Sequence, residues 1–419
     1  MAAPAILVGF WLWGLVDRRI SAQHASQYRP VPLSANPTFT PSRHVSVLCC
    51  TLNPEPTFLT CLRSWLENHP LEILLVTRAA HLSAVQTVLA SCPSDMDTSI
   101  IRILVVPDGD TLPGFRGQLT HGIRHCRGSL IAKVDGHVRW NPSYLLHMVA
   151  SFEDSSVGAS GGDMGIFIDP SRQNPKDITP WEVAAAKNLF GARTTKYDVY
   201  AATKFRWIIA GGSVLYRAEI AQSEEFQRAF LNDIWHTPRW LRLWGDGKTR
   251  LDSGDDTFIS RWVARQGFVN AVQQLPETKV LRVPKRTGAA WWTQFTRWER
   301  SSLQSQIRSL WEVPQIRQNP YVLRKSIERV LRDWLALIQL VAWCLSMVQR
   351  PGLTLLLLAY YVLRMIKSYQ KFFAEYPYMR RHWWAAVLAD YTALLVAPRV
   401  WWTIGLEEWC LGEKAVAKD

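Results

Sequence analysis

Short runs of apolar, often β-branched residues alternate with helix-like segments in the first third of the chain. The runs are VSVLCC (45–50), EILLVT (72–77), IRILVVP (101–107) and SLIAKVD (129–135). The segments TFLTCLRSWLENH and HLSAVQTVLAS separate the first three runs and have the spacing of amphipathic helices. This alternation predicts an α/β fold with a mostly parallel sheet covered by helices on both faces. Ligands of such sheets bind at the carboxyl ends of the strands.

Three further apolar runs occupy the last third, at 334–348, 353–366 and 383–404. None is an uncharged run of about 20 residues, the length that crosses a bilayer, and each alone could be a core helix. Together they predict C-terminal transmembrane helices. Basic residues cluster between the second and third runs, and by the positive-inside rule this loop is cytosolic. The large middle segment is therefore predicted to be cytosolic as well.

Composition favours a membrane partner over nucleic acid. The formal net charge is +13, which would suit either, but 48% of the 419 residues are hydrophobic and 21 are tryptophan. The basic residues concentrate beside the apolar runs, so we expect no nucleic-acid partner. The seven cysteines are odd in number and lack C-x-x-C spacing, which indicates a reduced, cytosol-facing protein.

The same patterns divide the chain into segments. Residues 1–27 contain an apolar stretch that is too short to span a bilayer comfortably, and predict a short N-terminal anchor. Residues 28–42 are a proline-rich linker. Residues 43–285 are the predicted catalytic domain, 286–330 the amphipathic interface helices, 331–406 the transmembrane helices and 407–419 a tail.

Two groups of polar residues are candidates for chemistry. Asp135 ends the fourth strand and His137 follows two residues later, so in an extended segment both side chains could face one divalent cation. Alternatively, Asp135 caps a turn and His137 lies on the surface. Asp255 and Asp256 stand side by side before a helix-like run, in LDSGDDTFISRWV. They could serve acid–base chemistry, or they could only cap the helix.

An ordered set of motifs connects these candidates: VSVLCCTLNP, VDGH, GGDMG, AGGSVLYRAEI, SGDDTFISRW and QFTRW. The set resembles the family 2 glycosyltransferases, and within them the processive polysaccharide synthases of the hyaluronan, chitin and fungal capsule type. The resemblance covers roughly residues 30–410. It implies a GT-A nucleotide-sugar-binding domain, interface helices and a small transmembrane channel. The implied activity is inverting sugar transfer to a growing polysaccharide, with export across the membrane.

The resemblance also implies roles for individual residues. Asp256 would be the general base, and Asp255 would raise the pKa of Asp256 or cap the helix. The implied donor-binding residues are Thr51, Arg116, Asp135 and Arg297. The implied acceptor-binding residues are Gly211, Gly212, Ser213, Gln294 and Trp298. Asp135 and His137 would hold Mn²⁺ or Mg²⁺. The helix that carries Gln294, Arg297 and Trp298 would also suit a helix lying among lipid headgroups.

The chain departs from the family pattern at two places. The second strand usually ends in an aspartate that binds nucleotide, whereas here it ends in Thr77 and Arg78. His137 stands where many relatives have aspartate. Two alternatives therefore stay open: a transferase that adds one sugar to a lipid, and an inactive scaffold. The expected partners are a nucleotide-sugar donor, most simply a UDP-sugar, a polysaccharide acceptor and the bilayer of the plasma membrane or an endomembrane.

Overall fold

The computed structural model describes residues 2–107, 112, 114–192, 197–209, 211–239 and 247–406. Ala210 of the glycine motif and the predicted tail lie outside these residues. The strands are β1 (Val45–Cys50), β2 (Glu72–Arg78), β3 (Ile101–Val106), β4 (Leu130–Val134), β5 (Val138–Arg139), β6 (Val157–Gly161), β7 (Met164–Ile166), β8 (Ser213–Arg217), β9 (Ile234–His236), β10 (Lys248–Arg250), β11 (Val269–Val272) and β12 (Val280–Arg282).

The helices alternate with these strands and continue beyond them. They are α1 (Ala2–Ala25), α2 (Pro41–His44), α3 (Phe58–Leu66), α4 (Leu82–Ala90), α5 (Gly114–His125), α6 (Tyr144–Val149), α7 (Pro180–Ala192), α8 (Tyr197–Thr203), α9 (Ala218–Gln222), α10 (Glu224–Leu231), α11 (Asp255–Arg265), α12 (Gly288–Glu312), α13 (Pro314–Gln318), α14 (Pro320–Val330), α15 (Arg332–Gln349), α16 (Pro351–Glu375) and α17 (Trp383–Trp402).

The central sheet has the strand order β11-β6-β8-β4-β1-β2-β3. The four predicted strands, β1 to β4, form one parallel group with the expected βαβ crossovers, which confirms the predicted α/β fold. Strand β8 lies antiparallel between β4 and β6. A smaller sheet has the order β5-β12-β7. Because β8 runs against β4, the start of β8 meets the carboxyl end of β4, where Ser213 pairs with Val134.

Helices cover both faces of the central sheet because side chains alternate along each buried strand. On β1, Val47 and Cys49 pack into the layer formed with α3 and α6. Leu48, between them, packs into the opposite layer formed with α5, α10 and α11. Both layers consist mainly of apolar side chains. The sheet is therefore a rigid base for the loops at its carboxyl edge.

The predicted short N-terminal anchor corresponds to helix α1, and its contact with a membrane stays a prediction. Helix α1 continues past the apolar stretch to Ala25. Asp17 of α1 forms ion pairs with Arg324 (2.5 Å) and Lys325 (2.8 Å) of α14. These ion pairs compensate the charge of the carboxylate that directly follows the apolar stretch. The proline-rich linker is also attached, because the Tyr28 hydroxyl donates to the carbonyl oxygen of Val272 at 2.9 Å.

The three apolar runs of the last third form helices α15, α16 and α17. Within the described parts of the chain, no single helix combines the length and the hydropathy needed to cross a bilayer. Helices α14 and α15 meet this requirement only as a pair, and a bend of 67° separates them. The expectation of separate transmembrane helices in 331–406 is therefore not supported by the individual helices.

Candidate active site

The site forms where the loop after β4 meets the loop before β8. Asp135 follows β4, and its backbone N–H donates to the carbonyl oxygen of Gly212 at 3.0 Å. Helix α11 begins nearby, because the backbone N–H of Gly211 donates to the carboxylate of Asp256 at 2.9 Å. A Cβ atom on Gly211 would come within 2.9 Å of the Asp256 Cβ, so only glycine allows this approach. Three segments that are far apart in the sequence thus bring polar groups together at one place.

Lys133, a residue of β4, contacts all three of these segments. Its Nζ donates to Asp135 Oδ1 at 2.8 Å and to the carbonyl oxygen of Gly211 at 2.6 Å. The same Nζ lies 3.1 Å from Asp255 Oδ2. Burial alone would lower the pKa of Lys133, but the charges of Asp135, Asp255 and Asp256 raise it above its ordinary value. The lysine is therefore a permanent buried cation that holds the acids in place.

Asp256 has the environment of a general base. Its Oδ2 accepts from the Gly211 N–H at 2.9 Å, and its Oδ1 accepts from the Thr257 N–H at 2.8 Å. Burial and the adjacent charge of Asp255 raise the pKa of Asp256 to about 6, although Lys133 and the two N–H groups oppose the rise. A carboxylate with this pKa is ionised at neutral pH and is a stronger base than an ordinary aspartate.

Asp255 and Asp256 are the first two residues of α11, as the helix-capping alternative requires. The cap position itself is occupied by Gly254, at a left-handed φ of 70°, and glycine has no side chain that could cap the helix. Asp255 forms an ion pair with Lys133. Asp256 accepts from the backbone N–H groups of Thr257 and Gly211. Both carboxylates also interact favourably with the positive, N-terminal end of the helix dipole. Capping and site formation therefore coexist, and capping alone does not account for the contacts.

Asp135 and His137 meet as the sequence predicted, but a guanidinium lies between them. Nη2 of Arg282, on β12, donates to Asp135 Oδ2 at 3.3 Å and to His137 Nε2 at 3.1 Å. Burial and Arg282 lower the pKa of His137 to about 4, so its imidazole is neutral and accepts at Nε2. Among the described residues, no three His, Cys, Asp or Glu side chains are grouped to hold a metal ion. The pair as arranged fits Arg282 and does not fit Mn²⁺ or Mg²⁺.

Helix α12 brings the QFTRW residues to the same place. Burial lowers the pKa of Arg297, while the carboxylates of Asp255, Asp135 and Asp256 oppose that shift, which shows that Arg297 lies within their electrostatic range. Arg282 stacks on Trp298, with its Cζ 4.9 Å from the ring centroid. Gln294 and Trp298, one helical turn apart, both line the same cleft.

The cleft is mostly apolar, with a few polar groups. It is lined by His137, Ile166, Ala185, Asn188, Leu189, Arg282, Val283, Pro284, Trp291, Gln294 and Trp298. One wall belongs to α7 and another to α12, and both helices contact α17. The cleft therefore lies between the smaller sheet and helices α7 and α12.

Two of the predicted site residues have structural roles instead. Arg116 is 2% exposed, and its guanidinium donates to Asp233 at 3.1 Å and to the carbonyl oxygen of Ser253 at 3.0 Å. It therefore supports the loop before α11 and does not face the site. The Ser213 hydroxyl is buried against Trp140 and Tyr144, at 3.0 Å from each partner atom. This hydroxyl belongs to the core and not to an acceptor site.

Thr51 follows β1, and its backbone N–H donates to the carbonyl oxygen of Val76 at 2.9 Å. This contact puts Thr51 at the carboxyl edge of the sheet, beside the end of β2. Its contact with the base of a nucleotide stays a prediction, as do the acceptor contacts of Gly212, Gln294 and Trp298.

Sequence reasoning missed Lys133, Arg282 and Asp252. Lys133 carried one signal, since a lysine within the apolar run LIAKV must be buried and paired. Arg282 carried no such signal, because β12 comes close to Asp135 by pairing with β5 in the smaller sheet. Asp252 accepts from the backbone N–H groups of Phe115 and Arg116 at 2.9 and 3.0 Å. It thus caps helix α5 from the loop that leads to α11.

A mostly parallel sheet with acids at its carboxyl edge, beside buried cations and a lined cleft, defines a nucleotide-dependent α/β transferase of the GT-A type. A family model described as "Glycosyltransferase like family 2" matches residues 41–301. The chain belongs to the family 2 glycosyltransferases and is an enzyme of that class.

Several proteins resemble this chain over much of its length. The NDP-glycosyltransferase ltbB of Aspergillus luteorubrus is 27% identical and covers 100% of this chain and 99% of its own length. A type 2 glycosyltransferase of Zymoseptoria tritici is 27% identical over 68% of this chain, which spans 55% of that protein. Mannosyltransferase PcManGT from Pyrobaculum calidifontis, solved with GDP-Man and Mn²⁺, is 15% identical with a TM-score of 0.59, over 93% of this chain and 99% of its own. This last likeness shows the fold.

Activity should depend on pH through Asp256. A base must be ionised to accept a proton, so kcat/KM should fall as the pH is lowered through about 6, the pKa of Asp256. Asp255→Asn removes the like charge that raises this pKa, and the acidic limb should move down by about 1 pH unit. The measurement is kcat/KM against pH for both proteins. Asp97→Asn, in an exposed loop, is the control and should not move the limb. An acidic limb that stays in place in Asp255→Asn contradicts this assignment.

Proposed function

We propose that the chain transfers a sugar from a nucleoside-diphosphate sugar to an acceptor hydroxyl with inversion at the anomeric carbon. The observation that carries the proposal is Asp256, a carboxylate with a pKa of about 6, placed beside Lys133 and within electrostatic range of Arg297. The names of two similar proteins, an NDP-glycosyltransferase and a mannosyltransferase solved with GDP-Man, support this donor class. A UDP-sugar is the first donor to test.

One carboxylate acts as the base and the other does not. Asp255 is paired with Lys133 at 3.1 Å, whereas Asp256 is held by backbone N–H groups, and its pKa is raised to about 6. In the proposed reaction, Asp256 accepts the proton of the acceptor hydroxyl as the oxygen attacks the anomeric carbon. The bond from that carbon to the phosphate oxygen breaks, and the electron pair leaves with the nucleoside diphosphate. A single displacement of this kind inverts the anomeric configuration.

The growing charge on the leaving diphosphate needs a partner. Arg297 is half-buried on helix α12, within electrostatic range of the acids. Its planar fork of N–H donors matches two phosphate oxygens, which a lysine ammonium cannot do. The proposed role of Arg297 is to pair with the diphosphate most strongly as the donor bond breaks.

Two acceptors remain in competition. A growing polysaccharide is the acceptor that the ordered motifs imply, and Gln294 and Trp298 in the cleft suit a sugar, since a tryptophan face can stack on its ring. A lipid-linked acceptor is favoured by a different observation: the cleft is largely apolar, and two helices that line it, α7 and α12, contact α17. Both would require the cleft to lie near a bilayer.

An exposed apolar surface supports association with a membrane. Its members on α15 to α17 are large hydrophobic side chains: Trp334, Leu337, Ile338, Leu340, Val341, Leu345, Met347, Val348, Leu353, Leu355, Leu356, Leu358, Val362, Leu363, Ile366, Trp383, Trp384, Tyr391, Leu394, Leu395 and Trp402. Water-exposed patches of this extent are typical of surfaces that bind a membrane or a partner. We propose that this surface lies in the bilayer.

The proposed orientation leaves the catalytic domain in the cytosol, at the plasma membrane or an endomembrane. The six described cysteines are free thiols, which is usual for a protein in a reducing compartment. Residues 43–285 remain our proposed catalytic domain, with 286–330 at the interface and 331–406 in contact with the lipid.

Arg297→Lys should reduce turnover more than about tenfold at saturating donor, because lysine keeps the charge but loses the forked pair. The measurement is sugar transfer per amount of purified protein. Arg317→Lys, on the exposed end of α13, is the matched control and should keep its activity. Equal activities for the two variants would remove Arg297 from the mechanism and leave its helix as an interfacial anchor.

Product size should decide between the two acceptors. Membranes containing the protein are incubated with labelled UDP- and GDP-sugars, and the products are separated into organic-extractable and polymeric fractions. A polysaccharide synthase should yield a long, glycosidase-sensitive product, whereas a lipid glycosyltransferase should yield a single extractable species. Asp256→Asn is the control for the reaction itself. Label incorporated equally by Asp256→Asn and the unmodified protein would favour the inactive-scaffold alternative.

Flotation with liposomes should test the membrane proposal. The protein should float with lipid vesicles, and a triple change to glutamate at Leu340, Leu356 and Leu363 should release most of it, since each buried charge is costly in lipid. Leu146→Glu, an exposed leucine on the catalytic part, is the control and should float normally. In sealed vesicles from cells, added protease should digest the catalytic domain. Unchanged flotation of the triple variant would exclude this surface as the membrane contact.

A further inference from the structure

Arg282 is held in a fixed position by the smaller sheet. It lies on β12 between β5 and β7, opposite Val138 and Ile166. Its carbonyl oxygen accepts from the backbone N–H of Phe167 at 2.8 Å. Its side chain is only 11% exposed. The backbone of this arginine is therefore fixed from both sides, and its guanidinium is directed toward the site.

The surroundings of the side chain fit a guanidinium closely. A Cβ atom on Gly212 would contact the Arg282 Cδ and Nε at 3.4 Å, so a larger residue there would crowd the stem. The Trp298 ring covers Cζ at 4.9 Å, within the range of a cation–π contact. The hydrogen bonds to Asp135 and His137 are both made by Nη2. A guanidinium has five N–H donors, so this one can serve further acceptors.

A divalent cation and Arg282 would compete for the same two atoms. A cation held by Asp135 and His137 would bind Asp135 Oδ2 and His137 Nε2, the atoms that accept from Nη2 at 3.3 and 3.1 Å. It would also lie against a positive guanidinium, and like charges at such distances repel strongly where water is scarce. The arrangement is stable because one cation, the arginine, already occupies the place between the two acceptors.

We propose that Arg282 supplies the positive charge that a divalent cation would otherwise supply, and binds the diphosphate of the donor directly. This inference rests on the proposed function. The anomeric carbon gains a bond to the acceptor oxygen and loses its bond to the phosphate oxygen. The acceptor proton goes to Asp256, and the electron pair stays on the nucleoside diphosphate. The charge that develops on the diphosphate is stabilised by Arg282 and Arg297. The enzyme then needs no added metal.

Nucleotide binding can be measured without any turnover. UDP and GDP are titrated calorimetrically into the full-length protein in EDTA and, separately, in Mn²⁺. In EDTA the unmodified protein should bind at least one nucleotide, and Arg282→Gln should weaken that binding more than about tenfold. In Arg282→Gln, Mn²⁺ should restore binding, because Asp135 and His137 are released to hold it. Arg282→Lys keeps the charge without the fork and should fall between the two.

Arg286→Gln is the matched control, since Arg286 is exposed and lies four residues along the same segment. It should bind nucleotide like the unmodified protein, and thermal unfolding verifies that every variant is folded. Binding by the unmodified protein only in Mn²⁺ would overturn the inference and leave the proposed function standing. Equal losses in Arg282→Gln and Arg286→Gln would also overturn it. No binding of UDP or GDP under either condition, with sugar transfer also absent, would instead count against the proposed function.

Discussion

The buried ammonium of Lys133 is the interaction on which the arrangement of the site depends. A lysine on a central strand, 5% exposed, is unfavourable unless its charge is matched, and here three aspartates from two segments match it. Removing one partner from a buried ion pair typically costs about 3–5 kcal/mol. One atom, the Nζ of Lys133, thus holds three segments: the loop after β4, the loop before β8 and the start of α11. Their relative positions are therefore set by a residue of the sheet.

A second buried network determines where helix α11 begins. Asp233 accepts from Arg116 and Arg308 and lies 3.7 Å from Arg261, so helices α5, α11 and α12 share one carboxylate. Asp252 caps α5 through two backbone N–H groups, and the Asp255 pair follows directly. The two adjacent aspartates, Asp255 and Asp256, therefore stand at the start of a helix that is held in place by the ion pairs of Asp233 and preceded by the Asp252 cap.

Local patterns predicted the elements of this fold, and long-range pairing determined the site. The four strands and the helix that carries Arg297 follow from periodicity, and the proximity of Asp135 and His137 follows from their spacing. Spacing could not show that β12 would insert Arg282 between those two side chains, because that contact joins residues about 145 positions apart. Arg116 failed as a donor ligand for a similar reason: motif position does not reveal which face of a helix is buried.

Helix α12 links the chemistry to the apolar surface. Its Arg297 and Trp298 reach the acids and Arg282, while farther along the same helix Gln304 donates to the carbonyl oxygen of Ile404 at 2.7 Å, just beyond α17. Lys187 of α7, a wall of the cleft, forms a 2.5 Å ion pair with Asp390 of α17. Helices α7 and α12, which form two walls of the cleft, are thus both attached to α17 or to the residue just beyond it. The surface proposed to lie in lipid and the cleft proposed to hold the acceptor are therefore mechanically one unit.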